Sequence, residues 1–97
     1  MAFIQVIDAR SDRVDEIDAL TEKWEAATEG RRTARRSIRT ADRNDPNHFV
    51  VIVFFDSYES AMENSNLPET QAFAESLAAL LDGPPTFLDL DVVEDRS

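Results

Sequence analysis

The sequence has no cysteine, so it can form neither a disulfide framework nor a thiolate metal site. Positive charge is also scarce. Ten Lys and Arg stand against twenty Asp and Glu, for a formal net charge of −10. Nucleic acid is a poor partner for such a chain, because phosphates need a basic surface to displace their counterions. No segment approaches the roughly 20 apolar residues that span a bilayer. The amino terminus runs directly into the alternating "FIQVID", without the basic start and long apolar stretch of a signal peptide, so a cytoplasmic protein is expected. There is no internal repeat and no linker, and histidine occurs once, as His48.

What is present suits one small globular domain covering residues 1–97, with 42% apolar and 31% charged residues. A chain of this size buries only roughly 60–70% of the surface its unfolded form exposes, so a partner subunit would help considerably. The basic residues are unevenly spread. Six of the ten fall in one window, Arg31, Arg32, Arg35, Arg36, Arg39 and Arg43, which is either a solvated face or a contact surface.

Hydrophobic periodicity divides the chain into segments. "FIQVID" (Phe3 to Asp8) alternates as a strand does. With Ser11 or Asp12 as N-cap, Val14, Ile17, Leu20, Thr21, Trp24 and Ala27 then form one stripe of a helix that Gly30 stops. "TARRSIRTA" (Thr33 to Ala41) predicts a second, more polar strand. Pro46 holds Asp45 extended in the following loop. "HFVVIVFF" (His48 to Phe55) is a third strand, and Asp56 or Ser57 caps a short helix "YESAMENS", with Glu59 spaced from Asp56 as in a capping box. Pro68 restarts the helix, which carries Phe73, Leu77, Leu80 and Leu81 on one face and ends near Gly83. "TFLDLDVVED" is the last strand, with Leu88, Leu90 and Val92 on one face and Phe87, Asp89, Asp91 and Val93 on the other.

The order β-α-β-β-α-β predicts a ferredoxin-like α+β domain, an antiparallel sheet in the order 4-1-3-2 with helices on one face. The third strand is central yet apolar on both faces: Phe49, Val51, Val53 and Phe55 on one, Val50, Ile52 and Phe54 on the other. Helices cover one set. Leaving the other in water forfeits roughly 1.5–3 kcal/mol per large side chain, so a second copy of the sheet is expected to cover it, giving a homodimeric barrel. The edge strands would meet through opposite charge, Arg35, Arg36 and Arg39 against Asp89 and Asp91. Such pairs set register and partner choice more than affinity.

The hairpin "NDPNHFVVIVFFDS", the small residues of "YESAMENS" and the segment "LPETQAFAESLAALLDG" resemble the dimeric α+β barrel superfamily, and within it the antibiotic-biosynthesis-monooxygenase-like group. The resemblance spans nearly the whole chain, and its most specific piece is Phe55-Asp56-Ser57. It implies a homodimer whose clefts take small organic molecules. Some members oxidise polycyclic aromatic substrates with molecular oxygen and no cofactor. The quinone-forming members place an asparagine and a tryptophan four apart on the third strand, where this chain has Val51 and Phe55, neither able to donate a hydrogen bond. Haem-degrading members use a histidine on the second helical segment, where this chain offers Asn64. No metal, flavin or haem cofactor is implied.

The candidate ligand pocket comprises Gln5, Trp24, Phe49, Val51, Val53, Phe55, Tyr58 and Asn64, which combine an apolar lining with a few amide, hydroxyl and aromatic groups. Trp24 also fits the core of the first helix, and Tyr58 also fits the surface. His48, at the junction of turn and strand, is read as a structural residue, with a general-base role as the alternative. Asp89 and Asp91 share a strand face, but two carboxylates alone make a poor cation site. Arg36 could hold an anionic group or a salt bridge. Two functions follow: a monooxygenase-like enzyme binding a small apolar or aromatic molecule, or a non-catalytic binding or structural dimer of the same fold.

Overall fold

A computed structural model describes residues 1–97. The elements are β1 (Phe3–Arg10), α1 (Val14–Thr28), β2 (Arg36–Arg39), β3 (His48–Phe55), α2 (Tyr58–Ser65), α3 (Pro68–Leu80) and β4 (Thr86–Asp91). The four strands form one sheet in the order β2-β3-β1-β4, with every neighbouring pair antiparallel. This is the ferredoxin-like order expected from the sequence, with the second helical region split at Pro68, which occupies the first turn of α3.

The register decides which face the helices take. Phe3 lies opposite Phe55, Gln5 opposite Val53, Ile7 opposite Val51 and Ala9 opposite Phe49, so these residues share one face. Two small apolar clusters form there. Phe3, Phe55 and Ala61 of α2 make one, with Val53 and Ala34 against it. Ala9, Phe49 and Ile17 of α1 make the other, with Val51, Leu77, Leu80 and Leu81 against it. Only six apolar residues are buried, and they all belong to these two clusters on one side of the sheet.

The opposite face, formed by Ile4, Val6, Val50, Ile52, Phe54, Ile38, Leu88 and Leu90, has no layer of this chain upon it. Leu88 remains 49% exposed and Leu90 42%.

Several local details depart from the sequence reading. Neither Ser11 nor Asp12 caps α1. Arg13 takes the cap position without a side-chain bond, and Ser11 turns inward, fully buried, donating to the Leu80 carbonyl at 2.6 Å and accepting from the Arg13 amide at 2.9 Å. Of the two caps expected for α2, Ser57 is the one used, its hydroxyl accepting the Ser60 amide while the Ser60 hydroxyl accepts the Ser57 amide, so the capping box is made with Ser60 rather than Glu59. Asp56 is instead taken by Arg35. β2 is shorter than expected, spanning Arg36–Arg39, and Ala34 before it packs on the Phe3–Phe55 cluster. Its ladder nonetheless continues through Arg35 N–H to the Phe54 carbonyl and Thr40 N–H to that of Val50. Gly30 and Gly83 have φ of +82° and +100°, the left-handed turns that let the chain leave α1 and α3.

Candidate functional site

A cleft of about 520 Å³ opens on the helix side of the sheet, where β4 runs out from beneath the helices. Its walls are Met1, Phe3, Tyr58, Glu59, Asp89 and Asp91. Each arrives for a local reason. Strand alternation places Asp89 opposite Gln5 and Asp91 opposite Phe3, both turned toward the helix layer. Both carboxylates stay exposed to water. The Ser57 cap fixes the start of α2 and so places Tyr58 edge-on against Phe3, with ring centroids 5.5 Å apart at 76°. On the sheet, the Gln5 amide donates to Asp89 Oδ1 at 3.2 Å, which aligns one carboxylate beside the aromatic wall.

Of the expected pocket residues, the structure places Tyr58 in the cleft wall and Gln5 behind it, bonded to Asp89, and distributes the others. Phe49 and Phe55 are buried in the two clusters, with Val51 and Val53 packed against them. Trp24 lies between α1 and α3. Its Nε1 donates to Thr70 Oγ1 at 2.9 Å, its ring rests on Phe73, and the Arg32 guanidinium sits 5.4 Å above it. Asn64 is buried beneath the start of β2, where its Oδ1 accepts the Thr33 amide.

The edge arginines are engaged within the chain, Arg35 with Asp56 and Arg39 with Asp18, while Arg36 lies over the Phe54 ring on the uncovered face. No group of three or more His, Asp or Glu side chains converges as a metal site would require.

A second polar constellation escaped the sequence reading. His48 starts β3 on the uncovered face, and both ring nitrogens meet carboxylates: Nδ1 lies 2.6 Å from Asp42 Oδ2, and Nε2 lies 2.8 Å from Asp8 Oδ1. Nearby, Arg10 pairs with Asp45. The bonds to Asp42 and then Asp8 hold the imidazolium above its ordinary value of 6.5, while His48 and the Asn44 amide hold Asp42 below 3.8. The partners lie 40 and 6 residues away in sequence, so only strand pairing assigns the first. The visible signal was the Asp-rich loop "DRNDPN" directly before the lone histidine.

No family model matches the sequence, and comparison with curated proteins finds no match. The fold has clear counterparts among solved structures. SnoaB, a cofactor-independent oxygenase from Streptomyces nogalater, superposes with a TM-score of 0.83 at 14% identity, covering 97% of this chain and 95% of its own. Rv0793 from Mycobacterium tuberculosis gives 0.81 at 13% identity, with both chains covered completely. An antibiotic biosynthesis monooxygenase gives 0.76 at 17% identity, covering 97% and 100%. At these identities the likeness speaks for the backbone, and it extends over essentially the whole of each chain. This chain therefore has the ferredoxin-like α+β fold of the antibiotic-biosynthesis-monooxygenase-like structures.

Proposed function

We propose that the protein is a homodimer that binds a small apolar or aromatic molecule, with a second copy covering the open sheet face and the ligand held in the cleft beside Tyr58. The cleft carries this reading. It joins an aromatic wall, Phe3 with Tyr58, to hydrogen-bond acceptors on Asp89 and Asp91. That combination suits a flat molecule with hydroxyl or amine donors along one edge.

The dimer is supported by the uncovered apolar face, with Leu88 and Leu90 half in water. Since Arg35 and Arg39 already have partners within the chain, this apolar face supplies the affinity and the edge charges refine the register.

The test is native mass spectrometry of the purified protein, followed by calorimetric titration with a panel of hydroquinones and anthrones. The reading predicts a dimer, a bound mass or measurable binding, and about tenfold weaker binding in Tyr58→Ala. A monomer, or a dimer that takes up nothing across the panel, would overturn it.

Oxygenation of the bound molecule is the second reading, favoured by the likeness to SnoaB. Against it, Val51 and Phe55 occupy the positions where quinone-forming members carry polar groups, and here both pack into the core. Oxygen uptake with the same panel separates the two: consumption supports an oxygenase, and binding without consumption supports a carrier.

A further inference from the structure

The His48 constellation lies on the same face as the apolar patch. Asp8 projects from β1 in line with Ile4 and Val6 and directly opposes Val50, so its bond to His48 closes one rim of the uncovered face. The ring itself is well shielded, its side chain 19% exposed, whereas that of Asp8 is 50% exposed.

We infer that the protonation state of His48 governs how tightly the second copy is held: firmly while the imidazolium bridges Asp8 and Asp42, more loosely once the ring is neutral. This rests on the dimer reading above.

The physical reason lies in donor count. An imidazolium has two N–H groups, one for each carboxylate, whereas a neutral imidazole has one. On deprotonation, one carboxylate oxygen faces a nitrogen lone pair. Asp42 also accepts the Asn44 amide, whereas Asp8 has no other donor in the chain. With the remaining N–H kept on Nδ1 toward Asp42, Asp8 is an anion without a donor at the rim of a surface that must lose water when a second copy arrives. In a two-fold dimer the cost occurs twice.

The charged groups facing the ring are Asp8 and Arg10 from β1 and Asp42 from the β2–β3 loop, while Asp45 of the same loop holds Arg10. Three carboxylates thus face two cations when the ring is charged and one when it is neutral. Because both bonds favour the charged ring, the transition falls on the alkaline side of 6.5.

Sedimentation equilibrium at fixed ionic strength tests the inference. The expected result is a dimer dissociation constant that rises about fivefold between about pH 6 and about pH 9. His48→Gln and, independently, Asp8→Asn should flatten that dependence while keeping the wild-type circular dichroism. A wild-type constant that does not change with pH, or a folded Asp8→Asn variant with the full wild-type slope, overturns it. A folded monomer at every pH overturns the dimer reading as well, whereas a dimer of constant strength overturns only the link to His48.

Discussion

Single side chains do much of the joining between layers. Ser11 is fully buried and ties the end of β1 to the last carbonyl of α3 and the start of α1. Thr28 is equally buried but acts locally, closing the end of α1 by donating to the Trp24 carbonyl at 2.8 Å and accepting from Arg32. Burying a hydroxyl is tolerable only with such partners.

His48 plays the same part for the β2–β3 loop, with a pH dependence whose sign follows from its bonds. Its contribution to stability is fully present below 6.5 and is lost as pH rises through the raised value in the folded chain. That of Asp42 is fully present above 3.8 and is lost as pH falls through its lowered value. The pair therefore stabilises the fold most between those two ordinary values. His48→Gln should lower the melting temperature by about 2–5 °C near pH 6 and by little near pH 9. Equal losses at both would show that the ring acts by packing alone.

At the scale of elements, hydrophobic spacing was a sound guide to type and order, and local hydrogen bonding decided the ends. The stripe through Val14, Ile17 and Leu20 marked α1 correctly, and Phe73, Leu77 and Leu80 marked α3, with Leu81 falling just past its end. The caps were harder to read because Ser11, Asp12, Asp56 and Ser57 all have suitable side chains, and a competing partner elsewhere settles the choice. Arg35 draws off Asp56, which leaves Ser57 as the cap of α2. Ser57→Ala should therefore cost about 1 kcal/mol in urea unfolding, whereas Asp56→Ala should cost much less, since an exposed ion pair contributes little. A reversed ranking would mean that the Arg35 pair, rather than the hydroxyl cap, secures α2.

For the molecule as a whole, the decisive feature is that three helices supply one layer and the sheet needs two. Ile52 sits at the centre of the uncovered face, opposite Val6 on one side and Ile38 on the other. Ile52→Lys should leave the monomer folded, because the side chain points away from the helix layer. It should weaken self-association about a hundredfold, since the two-fold places the charge in the interface twice. Retained dimerisation at wild-type strength, measured by native mass spectrometry, would place the contact elsewhere.

Little of the candidate site was legible at this scale. Of the residues expected to line a pocket, Tyr58 stands in the cleft wall, and Gln5 touches it only through Asp89. Asn64 and Trp24 have the right chemistry, but they satisfy the Thr33 amide and the Thr70 hydroxyl instead.

The sequence by itself determined the order of elements, the antiparallel sheet with one overcommitted apolar strand, and the exclusion of disulfides and thiolate sites, because each follows from periodicity or composition along the chain. Only the tertiary structure decided that Phe49, Val51, Val53 and Phe55 face the helices, since the two faces of β3 are equally apolar and a one-residue shift exchanges them. It also decided that Asp8 meets His48 and that Asp89 meets Gln5, because these partners are 40 and 84 residues apart and only the pairing of β1 with β3 and β4 brings them within hydrogen-bond reach.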